Sequence, residues 1–186
     1  MRKVIAAINM TLDGFCDHTG MVADAGIHQH YCELLRSAGG ILYGRITYQL
    51  MESYWPAVVE NPTGNKATDD FAVAIQDIPK LVFSRTLKNA GWKNAALAKR
   101  DIREEVSALR QEDAGKDILV GSPGLIAALT KLNLIDEYQL CVHPVIAGSG
   151  LPLFKNINNR IILKLVKTKI FNTSGATLLY YEPATR

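Results

Sequence analysis

Three short stretches of the chain combine glycine, arginine and hydroxyl side chains in a way that suits a phosphate: Gly44-Arg45-Ile46-Thr47-Tyr48, Ser84-Arg85-Thr86 and Gly121-Ser122-Pro123-Gly124. Arginine offers a planar fork of donors to a phosphate, and hydroxyls add short hydrogen bonds. Glycine lets a ligand approach the backbone, and a helix that follows a glycine turn presents unpaired N–H groups and the positive end of its dipole. After the third stretch Leu125, Ala128, Leu129 and Leu132 recur at helical spacing, with Pro123 suited to the first helical position. An ordinary strand-to-helix connection uses the same residue types, so no single stretch is decisive. A lone phosphate would occupy one of them, whereas a dinucleotide with a pyrophosphate and a third phosphate on a ribose accounts for all three.

The elements that must position these groups are legible from periodicity. Val4 to Ile8, Ile41 to Tyr43, Lys80 to Phe83 and Asp117 to Val120 are short apolar runs that read as buried strands, and each anion-type stretch follows one of them. Helical spacing covers 28–38, a short piece to about Met51, 68–76, 101–112 with Asp101 as N-cap, and the segment after Pro123. Residues 15–26 are turn-rich, and Pro56, Pro62 and Gly64 argue for a loop over 52–65. Both are read as mobile segments able to close over a substrate. Residues 136–143 form a further strand, broken by 144–150, where Gly148 and Gly150 let a ligand approach and Leu153-Phe154 anchor the loop. Strand patterns over 160–171 and 176–182, separated by Asn172-Thr173-Ser174-Gly175, close the sequence with an antiparallel hairpin. Strands alternating with helices predict an α/β fold: three layers, α-β-α, with a mainly parallel central sheet and an antiparallel C-terminal hairpin. In such sheets ligands bind beyond the carboxyl ends of the strands, where the three stretches lie.

The whole is read as one domain over 1–186, with 48% apolar and 21% charged residues, an ordinary globular composition. The formal charge of +3 is small and its basic residues are scattered, which argues against nucleic acid as a partner. No apolar run approaches the roughly 18 residues that span a bilayer, and the N-terminal run turns polar too soon for a signal peptide. The expectation is a cytoplasmic protein without membrane contact. Cys16, Cys32 and Cys141 are far apart and odd in number, so they read as reduced structural thiols, with no metal site.

Taken in order, Gly44-Arg45-x-Thr47-Tyr48, Lys80 to Leu87, Asp117 to Ser122 with Leu125, Leu134 to Tyr138, and Pro144-Val145-Ile146-x-Gly148-x-Gly150-x-Pro152-Leu153-Phe154 resemble the dihydrofolate reductase-like family. The likeness is greatest to the branch that includes the C-terminal reductase domain of the bifunctional riboflavin-biosynthesis deaminase/reductase, and it covers nearly the entire chain. The resemblance implies an NADPH-dependent reductase and a dihydrofolate reductase-like fold. It assigns Arg45 and Thr47 to cofactor phosphates, Ser84 and Arg85 to the 2′-phosphate that distinguishes NADPH from NADH, and Gly121, Ser122, Pro123, Gly124 and Leu125 to the pyrophosphate, with Gly44 and Thr86 as further cofactor-binding residues. Ala7, near the end of the first strand, would lie beside the nicotinamide. A homodimer is common in the family, and the terminal strands offer it an interface.

The departures concern the substrate. Dihydrofolate reductases place a carboxylate on the first helix to bind the pterin and assist protonation, whereas here His30 stands nearest that position and Glu33 one turn later. His30, with a side chain that titrates near neutrality, Glu33, and Asp13 in the Asp-Gly turn after the first strand are the candidates for proton transfer. No deaminase domain or zinc-ligand set accompanies them. Two readings result. One is a reductase passing hydride from NADPH to a C=N or C=O carbon of a small heterocyclic or sugar-derived substrate, dihydrofolate-like or riboflavin-precursor-like. The other is a nucleotide-binding module without turnover, acting as a sensor or assembly partner.

Overall fold

The computed structural model describes residues 1–16, 19–22, 24–112 and 115–184. Among the described residues, eight strands and six helices follow one another as β1 (Val4–Thr11), α1 (Ala25–Ser37), β2 (Gly40–Gly44), α2 (Arg45–Glu52), α3 (Trp55–Glu60), α4 (Lys66–Asp77), β3 (Lys80–Phe83), β4 (Ala95–Leu97), α5 (Ile102–Gln111), β5 (Ile118–Val120), α6 (Pro123–Lys131), β6 (Glu137–His143), β7 (Leu163–Phe171) and β8 (Ala176–Pro183). The sheet is mostly parallel, has antiparallel C-terminal strands and is flanked by helices, as the alternation of periods predicts. The chain divides into two compact units. Met1–Arg2 with Ala25–Leu119 form the first, and Lys3–Asp24 with the residues from Val120 onward form the second.

In the first unit the strand order is β4-β3-β2-β5. β2 and β3 are parallel with Gly44 opposite Phe83, and β3 and β4 are parallel with Val82 opposite Leu97. Three consecutive strands therefore end at one level. Ile41, Leu42 and Tyr43 are buried in succession, which is why β2 reads as an unbroken apolar run, whereas β3 alternates, with Lys80 and Val82 buried and Leu81 and Phe83 half-buried. α4 begins at Asn65, whose side chain accepts from the N–H groups of Ala67 and Thr68, and α5 at Asp101, which accepts from Arg103 and Glu104. α1, α3 and α4 meet in an aromatic cluster, with the ring of Trp55 4.5 Å from Phe71 and the ring of His28 5.8 Å from Phe71. Lys80 is buried because its ammonium donates to the carbonyls of Gln76, Ile78 and Lys93 and stands 4.3 Å above the Trp92 ring.

Two expectations fail in this unit. Residues 52–65 are not a continuous loop, because Pro56 occupies the second position of α3, where a helix has no use for its missing N–H. The remainder is also pinned, since Asp69 accepts from the N–H groups of Thr63 and Gly64 and from the Thr63 hydroxyl. This geometry does not support a mobile lid at 52–65. β4 goes unanticipated because Ala95-Ala96-Leu97 has little strand character of its own.

In the second unit the order is β1-β6-β8-β7. β1 and β6 are parallel from Ile5 opposite Glu137 to Thr11 opposite His143, so the first strand runs three residues beyond its apolar stretch. β6 and β8 are antiparallel, as are β8 and β7, with a bulge between Leu165 and Lys167. α6 packs on β6 through a buried bond from the Tyr138 hydroxyl to Thr130 Oγ1 at 3.0 Å. Leu153 is buried as expected, while Phe154 is 42% exposed and sets its ring edge-on to that of Tyr138 at 6.3 Å. β7 is the sheet's edge strand and is exposed from Lys164 to Ile170. Its register puts Lys164, Lys167 and Lys169 on one side and Leu163, Leu165, Thr168 and Ile170 on the other.

Of the 15–26 segment, Asp17, His18 and Ala23 lie outside the described residues, and α1 already begins at Ala25. Both flanks of the segment are tied down. The Thr11 N–H donates to the Phe15 carbonyl, the Cys16 N–H to the Leu151 carbonyl and the Val22 N–H to His143 Nδ1 at 3.2 Å. With Nδ1 accepting, the Nε2–H of buried His143 is the group that faces Asn9 Oδ1 at 3.1 Å, which fits the neutral ring. Burial pushes its pKa down, against the pull of Asp24.

Candidate functional site

The first unit gathers one pocket at the level where β2, β3 and β4 end. Phe83, Ser84, Arg85, Ala98, Arg100, Asp101 and Ile102 line about 320 Å3. It forms because the Ala98 N–H donates to the Val82 carbonyl, which brings the exit of β4 beside that of β3. Ser84 Oγ accepts from the N–H groups of Thr86 and Leu87 at 3.2 and 2.9 Å, so the hydroxyl shapes its own turn and keeps its proton for a ligand. Arg85 is exposed at this pocket. Thr86 is exposed outside the lining.

Beside this pocket, Gly44 caps α2 without a side-chain hydrogen bond, in extended conformation. Arg45 stands at the first position of that helix, exposed, with Nη1 donating to Gln49 Oε1 at 3.0 Å. Thr47 is half-buried one turn in. Tyr48 fixes α2 from beneath. It is fully buried, its hydroxyl donates to Glu52 Oε1 at 2.7 Å and accepts from the Trp92 N–H at 3.0 Å, and burial raises its pKa to about 12. Arg45 and Thr47 are not part of the pocket lining, so the structure brings Ser84 and Arg85 together and leaves the α2 group as a separate strand-end site.

The second unit holds the glycine turn and Ala7. Gly121 is half-buried, Ser122 is buried at the N-cap, and Pro123 occupies the first position of α6. Gly124 is exposed, and a Cβ built on it would meet no atom within 4 Å. The backbone at Gly124 is therefore open to solvent. The first-turn N–H groups of Gly124 and Leu125 have no intrahelical acceptor. Ala7 is half-buried at the middle of β1, opposite Gln139, rather than near the strand's end.

The proton-transfer candidates divide sharply. Asp13 forms a loop clamp: Oδ1 accepts from the Thr11 hydroxyl at 2.6 Å and the Ala147 N–H at 3.1 Å, and Oδ2 from the Gly148 N–H at 2.7 Å. The Thr11 hydroxyl foremost, and then these backbone groups, pull its pKa down to about 2 despite some desolvation. A carboxyl so depressed stays ionised and is a poor proton donor. Because its folded pKa lies below the ordinary value of 3.8, the clamp is intact above that value and is lost as pH falls through about 2. An NMR titration should show the Gly148 amide shift with a midpoint near 2; a midpoint near 4 would mean that the clamp does not form. Glu33 is exposed on α1 and accepts from Gln29 Nε2 at 3.0 Å. His30 is half-buried on the same helix, its ring 5.4 Å from that of Tyr31. Among the described residues no group of His, Cys, Asp and Glu can hold a metal ion, and no helix is long and apolar enough to cross a membrane.

Sequence reading missed Arg100, and with it Glu105, which holds Arg100 from α5. The one signal available was an arginine just before the α5 N-cap.

A mostly parallel α/β sheet with antiparallel closing strands and ligand-type groups at its strand ends defines a dihydrofolate reductase-like fold. Residues 2–178 match the model of the RibD C-terminal domain, and the chain belongs to that family, whose members are reductase domains that use a nicotinamide cofactor. Over 184 residues it is 34% identical to uncharacterized protein YyaP of Bacillus subtilis (strain 168), covering 97% of this chain and 95% of that one. Solved structures share the fold. One is a putative riboflavin biosynthesis protein from Shewanella sp. PV-4, with TM-score 0.73, 20% identity and full coverage of both chains. Another is a diaminohydroxyphosphoribosylaminopyrimidine deaminase/5-amino-6-(5-phosphoribosylamino)uracil reductase from Thermotoga maritima, with TM-score 0.67 and 17% identity, covering 98% of this chain and 57% of that one.

Proposed function

We propose that the protein is an NADPH-dependent reductase that passes hydride to a C=N or C=O carbon of a small heterocyclic or sugar-derived substrate. The observation that carries this reading is the pocket in which Ser84 and Arg85 stand together at the ends of parallel strands. Its donor set fits a phosphate on a ribose: a guanidinium fork and a hydroxyl, above the apolar surface of Phe83, Ala98 and Ile102. Arg45, Thr47 and the α6 N-terminus with Gly124 are the groups to hold the remaining phosphates. NADPH supplies the hydride; the protein fixes distance and excludes water. Ala7 serves the nicotinamide. Among the three candidates His30 is the one for proton delivery, since Asp13 is engaged in its clamp and Glu33 faces solvent. The Thermotoga protein is named a 5-amino-6-(5-phosphoribosylamino)uracil reductase, which supports the riboflavin-precursor-like substrate; the dihydrofolate-like one rests on the sequence resemblance alone.

The position of Glu33, on the exposed side of α1, favours a second reading in which the nucleotide is bound but not turned over. One experiment separates the two: follow the absorbance of NADPH with dihydrofolate, the aminopyrimidine ribosyl riboflavin precursor and simple carbonyls, and measure NADPH binding in parallel. Oxidation with any of them supports the reductase. Binding without oxidation points to the module, and no binding overturns both.

A further inference from the structure

The pocket contains a second arginine, and the way it is held is unlike a surface charge. Arg100 lines the same cavity as Ser84 and Arg85. Its Nη2 donates to Glu105 Oε2 at 3.0 Å, while Glu105 Oε1 accepts from the backbone N–H groups of Lys99 and Arg100 at 2.8 and 3.0 Å. The Glu105 side chain is 8% exposed and that of Arg100 is 54% exposed. One buried carboxylate thus fixes both the turn that carries Arg100 and the guanidinium itself. Arginine has five N–H donors, and the bond to Glu105 uses one of them.

Resting on the NADPH reading above, we infer that Arg100 is a second guanidinium for the 2′-phosphate and that Glu105 is the residue that positions it. A ribose phosphate carries about −1.5 to −2 charges at neutral pH, more than one guanidinium neutralises. The opposing charge in the lining is Asp101, whose Oδ1 accepts from the Arg103 and Glu104 N–H groups at the start of α5. With Glu105 counted beside Asp101, two carboxylates balance the two arginines, so what Arg100 adds for a phosphate is its remaining N–H donors, held in place at the pocket. Holding Arg100 beforehand matters because a free arginine loses rotamer entropy when it binds, and a fixed one has already lost it. Glu105 stays ionised and so keeps its hold on Arg100: burial opposes its ionisation, yet the Lys99 and Arg100 N–H groups and the Arg100 guanidinium bring its pKa below the usual value.

The test titrates adenosine 2′,5′-bisphosphate and adenosine 5′-monophosphate into the protein by calorimetry. Wild type should prefer the bisphosphate. Arg100→Ala should lose that preference by about 10-fold or more while keeping its affinity for the monophosphate, and Arg100→Lys should lie between, since lysine keeps the charge but not the fork. Glu105→Gln retains an oxygen for the two backbone N–H groups and loses the acceptor for Nη2, so it should cost roughly 3- to 10-fold in the bisphosphate alone. If Glu105→Gln does not fold, the two Arg100 variants decide. A wild-type preference in both Arg100 variants, with Arg85→Ala losing it, overturns this inference and leaves the NADPH reading standing. No preference in wild type overturns that reading, and this inference with it.

Discussion

Arg85→Ala is expected to raise the KM for NADPH by about 10- to 100-fold and to leave that for NADH nearly unchanged, because hydrogen bonds to a charged group contribute roughly 1.5–3 kcal/mol. The asymmetry is the point of the measurement. Arg85 lines the pocket with Ser84 at the end of β3, and its guanidinium is exposed rather than built into the fold. Removing it should therefore leave stability alone and be felt only where a 2′-phosphate is present. Equal losses for the two cofactors would show that Arg85 acts through the turn and not through the phosphate. Steady-state kinetics or direct binding with both nucleotides gives the answer.

The second large effect is on stability. Tyr48→Phe keeps the ring in its fully buried site but removes the hydroxyl that joins Glu52 to the Trp92 N–H. Both partners are then left to find new ones inside a packed region, which costs about 2 kcal/mol and should lower Tm by roughly 4–8 °C in a chain of this size. An unchanged Tm would mean that the Trp92 N–H and Glu52 are satisfied without Tyr48. Since Tyr48 lies one turn inside α2, the variant should also loosen Arg45 and Thr47, and its NADPH affinity should fall more than its overall fold suggests.

Much of the fold is legible because most of its strands are short apolar runs and α1, α2, α4, α5 and α6 keep a helical period. What escaped has identifiable causes. Ala95-Ala96-Leu97 becomes a strand only because β3 offers it an edge, so its own composition gives no warning. Pro56 reads as a breaker in the sequence, although at the second position of α3 a proline breaks nothing. The site shows the same division. Ser84 and Arg85 are adjacent in sequence and could be read together; Arg100 joins them only through the pairing of β3 with β4, and its restraint by Glu105 requires the first turn of α5. Residue type alone makes Asp13 a candidate for proton transfer, whereas its role depends on N–H groups at Ala147 and Gly148, far along the chain.

The two-sided character of β7 sets an expectation for how copies of the protein meet when crowded. An edge strand offers a row of unpaired backbone groups on which another molecule can polymerise. Here Lys164, Lys167 and Lys169 lie on one side of that edge and are exposed. When two such strands align head-to-tail near the centre of β7, lysine is set close to lysine, and like charges at that spacing repel. Colloidal stability at this edge therefore depends on the charge of three amines, and acetylating them would leave Leu165 and Ile170 beside an unguarded strand.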